Sequence, residues 1–106
     1  APGLPFPLMT RPVAEAFTVY SLQNAFGARF EKAERVLGNC RRAGRSRFRC
    51  DVAWRSGRNI YAGVVSPFYV RRAQGVAWSS HYRIEWAPMK CLRANPARCR
   101  IRTKSG

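Results

Sequence analysis

Apolar positions in the first third of the chain recur at three- and four-residue steps. Val19, Leu22, Phe26, Phe30, Ala33 and Leu37 fall on one stripe, the period of an amphipathic helix. Thr10 is suited to an N-cap and Pro12 to a first helical turn. Gly38-Asn39 supplies a left-handed stop. These signals predict one helix from Thr10 to Leu37, with a weak point at Gly27 and a solvent-side Glu31–Arg35 pair at i,i+4.

Past Cys40 the period changes from helical to alternating. Over residues 47–55, Phe48, Cys50, Val52 and Trp54 face one way and Arg47, Arg49, Asp51 and Arg55 the other, the pattern of a half-buried strand. Ser56-Gly57-Arg58-Asn59 is a tight turn. A second strand is expected from Ile60 to Arg71, with Pro67 marking an edge or a bulge. Gly75 opens the next turn, and a third strand runs from Val76 to Trp86. On it Val76, Trp78, Tyr82, Ile84 and Trp86 share a face opposite His81, Arg83 and Glu85. Arg100-Ile101-Arg102 reads as a brief fourth strand.

A long helix followed by three or four antiparallel strands has one economical packing. The helix lays its stripe on the apolar face of the meander, an α+β domain of two layers. The expected inward set is Phe48, Val52, Trp54, Ile60, Val64, Tyr82, Ile84 and Trp86 against Phe26 and Phe30. Residues 1–9 hold three prolines and no charge. They read as an extended arm ahead of a domain over 10–106, with Leu4, Phe6 and Leu8 available to pin it.

The 106-residue length suits one domain with a modest core, where cross-links add useful stability. Four cysteines allow three disulfide connectivities. Cys40–Cys50 and Cys91–Cys99 fit the layout best, stapling the helix exit to the first strand and closing the C-terminal loop; crossed pairings are the alternative. Their spacings, nine and seven intervening residues, are unlike the short knuckles of structural zinc, so no metal is expected. There is no apolar run long enough to span a membrane. The chain begins at Ala1-Pro2-Gly3, as a mature chain does after signal-peptide removal. With paired cysteines, this points to a secreted or extracytoplasmic protein.

The net charge of +15 changes the picture most. The cations are 17 Arg and 3 Lys. Such Arg usage reflects a GC-rich genome or suits forked recognition of phosphate and carboxylate. The charge concentrates in two segments, 41–58 and 90–104, each net +6. The anion-binding candidates are Arg41, Arg42, Arg45, Arg47, Arg49, Arg55 and Arg58 in the first, and Arg98, Arg100 and Arg102 in the second. If the second strand lies at the sheet edge away from the C-terminus, the segments adjoin and form one field that attracts polyanions. Tyr61, Tyr69 and Trp78 are candidate stacking aromatics, with core packing the alternative for Trp78.

The order of helix then meander is similar to that of cystatin-like domains and, more loosely, of small microbial ribonucleases. Ile60-Tyr61-Ala62-Gly63-Val64 stands where cystatins carry Gln-x-Val-x-Gly and shares only a glycine between apolar residues, so no inhibitory residue is carried over.

The charge pattern favours a small, monomeric, non-enzymatic module engaging an anionic partner: nucleic acid, polysaccharide or anionic lipid headgroups, with no cofactor. One alternative is a ribonuclease-like hydrolase. His81, Arg83 and Glu85 at i, i+2, i+4 line one strand face as acid, phosphate-binding cation and base. Another is a cystatin-like inhibitor presenting the hairpin tip Ser56–Asn59. The absence of a helix-turn-helix and of Gly-x-Ser-x-Gly argues against a groove-reading DNA binder and a serine hydrolase.

Overall fold

The computed structural model describes residues 6–106; of the arm residues, Leu4 lies outside the described residues. The first helix, α1 (Arg11–Phe26), starts where expected, with Pro12 in its first turn and Thr10 in extended backbone as N-cap, its side chain making no cap bond. Ala14, Thr18, Ser21, Leu22 and Phe26 form its buried stripe. The two buried hydroxyls are satisfied within the helix, Thr18 Oγ1 donating to Ala14 O and Ser21 Oγ to Phe17 O, both at 2.8 Å. Ser21 also meets Ser80 across the helix–sheet interface at 2.6 Å.

The helix ends well before Leu37. Gly27 adopts φ 56° and sends its N–H back to Gln23 O, a left-handed residue that stops α1 at a position favouring glycine. A single further turn, α2 (Ala28–Glu31), buries Phe30. The chain then turns into β1 (Glu34–Gly44), which takes in Gly38 and Asn39. Leu37 is 68% exposed, so the three-and-four spacing that includes it does not mark a core stripe. The expected Glu31–Arg35 pair gives way to one between Glu34 and Arg55. Arg35, at φ 52°, sits in the irregular stretch where β1 shifts register against its neighbour.

Four more strands complete an antiparallel meander of order β1-β2-β3-β4-β5: β2 (Arg47–Ser56), β3 (Asn59–Arg72), β4 (Gly75–Pro88) and β5 (Arg102–Ser105). The class is α+β as expected, with five strands. Between β4 and β5 lie the short helix α3 (Met89–Ala94) and one 3-10 turn, Pro96–Arg98. The last strand therefore begins at Arg102, not Arg100.

The strand faces follow from the turns. Gly57-Arg58 is a two-residue connection with Ser56 opposite Asn59, which places Trp54 opposite Tyr61. The inward side of β3 is consequently Tyr61, Val65, Pro67 and Tyr69. Ile60 and Val64, expected inward, face out, and Ile60 is 38% exposed. Pro67 lies in the central strand, not at an edge. It is buried opposite Ser80 of an unbroken β4 ladder, while the β2 pairing lapses between Val65 and Phe68, where its missing N–H would have donated.

The core lies between α1, α2 and the inward sheet face. Trp54 and Tyr61 stack at 4.8 Å, with Phe26 edge-on to Trp54 at 5.4 Å and Phe30 edge-on to Trp54 at 5.2 Å. Trp54 Nε1 donates to Arg29 O at 3.0 Å. Towards the start of the helix, Phe17 stacks on Trp78 at 4.4 Å. Lys104 of β5 donates to Ala25 O near the end of α1, a cation on carbonyl groups that need partners.

Both disulfides have the expected pairing, Cys40–Cys50 and Cys91–Cys99. Cys40 and Cys50 stand directly opposite in the β1–β2 ladder and are both buried, so this bridge ties an otherwise exposed edge strand to the core. Replacing the pair by alanine should lower the unfolding free energy by about 3 kcal/mol through restored chain entropy. Urea titration of the double variant checks this; an unchanged midpoint would show that β1 is held without the bridge.

Candidate anion-binding face

Among the described residues, no helix covers the outward side of the sheet. Its central strand, β3, presents uncharged side chains there: Ala62, Val64, Ser66 and Phe68 lie between outward residues of β2 and β4. By register, Phe68 lies opposite Arg47 on one side and Ser79 on the other, while Ser66 is opposite His81 and Val64 is between Asp51 and Arg83. Two adjoining shallow hollows of about 590 and 550 Å³ share Arg49, Ser66 and His81. The result is a groove with an uncharged floor, flanked by Arg47, Arg49 and Asp51 of β2 on one side and by His81, Arg83 and Glu85 of β4 on the other. The Phe68 and His81 rings stack at 5.0 Å.

The cations of segment 41–58 divide into two groups. Arg41 pairs with Asp51 at 3.0 Å and Arg55 with Glu34; the Arg55 hydrogen bond holds the Glu34 carboxyl below its ordinary pKa. Both pairs are solvent-exposed and of small energetic value. Arg42 donates to Met9 O at 2.7 Å and to Gly44 O and Arg45 O, with its guanidinium over the Phe48 ring. Arg45 reaches Phe6 O at 2.9 Å. Arg42 and Arg45 thus fasten residues 6–9, of which Met9 is buried and Leu8 is 52% exposed, to the β1–β2 turn. Among the described residues, Arg47 and Arg49 make no ion pair or hydrogen bond through their side chains, and both are exposed.

The two basic segments do not merge into one field. The meander places β1 and β2 at one edge and β5 at the other, so Arg98, Arg100 and Arg102 lie beyond β4, away from Arg41–Arg49. The condition that would have joined them, β3 at an edge, fails because β3 is central. The segments approach at the Arg58 end, where Arg58 O accepts from Met89 N at 2.8 Å, just ahead of the second segment and beside a hollow also lined by Lys90 and Arg93. That bond ties the Ser56–Asn59 tip to the start of α3.

The stacking candidates also change. Tyr61 is buried against Trp54, and Tyr69 and Trp78 pack on Phe17, so all three face the helix. Phe68 is the aromatic that the outward face presents. Its place is masked in the uninterrupted apolar run Pro67-Phe68-Tyr69-Val70, where alternation gives no indication of side.

His81, Arg83 and Glu85 do share the outward face with Arg49. Four residues along a strand separate His81 from Glu85 by about 13 Å at Cα, and Glu85 leans on Arg83 at 3.6 Å. An acid and a base serving one phosphoryl centre must both reach it by hydrogen bonds, which this separation opposes. Comparison with protein-family models, curated proteins and solved structures finds no match to this chain.

Proposed function

We propose that this is a small, extracytoplasmic, non-enzymatic binding module that holds an anionic polymer across the open face of its sheet. The observation that carries the reading is the uncovered groove in which Arg47, Arg49, His81 and Arg83 flank an uncharged floor. Arg47 and Arg49, exposed and without side-chain partners among the described residues, keep their fork of donors for phosphate or carboxylate. The sheet also fixes the backbone positions of these residues before the partner arrives, which reduces the ordering cost of binding. The two disulfides support an oxidising compartment, and among the described residues no helix is long and apolar enough to cross a membrane.

A paired charge-reversal test separates this reading from adhesion by net charge alone. Arg47→Glu/Arg49→Glu and Arg98→Glu/Arg100→Glu change the net charge equally. The first should elute from phosphocellulose at much lower salt than the second, because polyanion affinity follows the number of phosphates the protein neutralises. Equal elution of the two variants would mean that the open face has no special part in binding.

A further inference from the structure

We infer that the polymer held on the open face is a single-stranded nucleic acid, with a base stacked on Phe68 and the backbone phosphates on the flanking arginines. This rests on the anionic-polymer reading and names the partner. A groove evolved only for charge would gain nothing from an apolar floor. Here the floor is four uncharged residues of β3, Ala62, Val64, Ser66 and Phe68, and the cations stand on the neighbouring strands. That arrangement has two chemistries side by side, apolar area on β3 and exposed guanidinium groups on its neighbours. Polyphosphate matches the second alone. A nucleic acid strand with unstacked bases matches both.

The geometry of the floor supports this assignment. Phe68 is half-buried, with one face of its ring stacked on exposed His81, so a base that extends this stack orders no long side chain. Beside it, Ser66 and Ala62 are small and leave room for sugar and base to lie close to the sheet. Arg47 and Arg49 are two positions apart on β2, a spacing of about 6.7 Å, and Arg83 lies across β3 from Asp51, about 10 Å away by two strand spacings. A single strand threads between these rows. A duplex keeps its bases stacked inside and offers Phe68 nothing. Of the acidic groups at the groove, Asp51 pairs with Arg41 and Glu85 with Arg83, so the net positive charge offered to a polyanion comes from Arg47 and Arg49.

Fluorescence anisotropy with a labelled mixed-sequence single-stranded oligonucleotide, as DNA and as RNA, tests this directly. Its duplex and a labelled polyphosphate of matched charge are titrated alongside. Phe68→Ala and Phe68→Leu are compared with the wild-type chain after circular dichroism confirms folding. Leucine keeps apolar bulk and removes the stacking face. Both variants should weaken the better-bound single strand by about tenfold or more, within the range of one base stack, and leave polyphosphate affinity unchanged. Wild-type protein should prefer the single strand to the duplex. If single strand and polyphosphate bind alike and neither variant matters, the partner is recognised by charge alone and the nucleic-acid inference fails while the polyanion reading stands. If neither polymer binds, the broader reading fails as well.

Discussion

Trp54→Ala is expected to lower the unfolding free energy by about 3–5 kcal/mol, the cost of emptying a large aromatic site in a packed core. Trp54 is 2% exposed and sits where three elements converge. It stacks on Tyr61 of β3, receives Phe26 and Phe30 edge-on from α1 and α2, and donates its indole N–H to Arg29 O. Alanine removes all of these interactions and leaves a carbonyl in the α2 turn without its donor. The turn after Gly27 should therefore loosen along with the core. Chemical denaturation with the disulfides intact reads the loss, and Trp54→Phe, which keeps most of the ring area, should cost markedly less. Equal losses for the two would place the energy in the indole hydrogen bond and not in the aromatic packing.

Gly63→Ala should destabilise by about 3 kcal/mol, at the upper end of what overpacking costs. In most strand interiors replacing glycine by alanine is favourable by roughly 0.5–1 kcal/mol, because glycine gives up more backbone entropy on folding. Gly63 reverses that sign for a steric reason. A Cβ built there would lie 2.0 Å from Arg83 O and 2.9 Å from Ile84 Cα, both backbone atoms of β4 that no rotamer change can move. Relief requires β3 and β4 to separate at the centre of the sheet, beneath the groove. An alanine variant as stable as wild type, again by urea titration, would show that the two strands do not approach this closely.

What can be read from the sequence divides along the range of the interactions. The start of α1, the spans of β2, β3 and β4, and the Cys40–Cys50 and Cys91–Cys99 pairings depend on neighbouring residues. Proline at the first helical turn, alternation, two-residue turns and short cysteine loops are enough to read them. Longer-range relations decide the rest. Val36 and Leu37 are apolar and continue the helical spacing, but Gly27 ends the helix first and pairing with β2 draws Leu37 opposite Ala53. Ile60 and Val64 against Tyr61 and Val65 is a choice between two apolar sets, and only the register set by Gly57-Arg58 resolves it. Whether the two basic segments adjoin depends on which strand is central, a property of the whole sheet.

The same distinction applies to the candidate site. His81, Arg83, Arg47 and Arg49 are legible as residues sharing strand faces, because period-two alternation assigns them one side. That this side lies open, and that Arg41, Arg42, Arg45 and Arg55 are committed to carboxylates and carbonyls while Arg47 and Arg49 are not, follows from tertiary structure. The high net charge therefore overstates the number of unpaired cations on the open face. Of the seven arginines in segment 41–58, the groove uses two.

Whether the open sheet face is the binding surface can be decided by following backbone amide shifts in an NMR titration with a short anionic polymer. The largest changes should fall on Arg47, Arg49, Val64, Ser66, Phe68, His81 and Arg83, with α1 and β5 little affected. Changes concentrated in α3 and residues 98–104, with β2, β3 and β4 silent, would place binding elsewhere and refute the assignment.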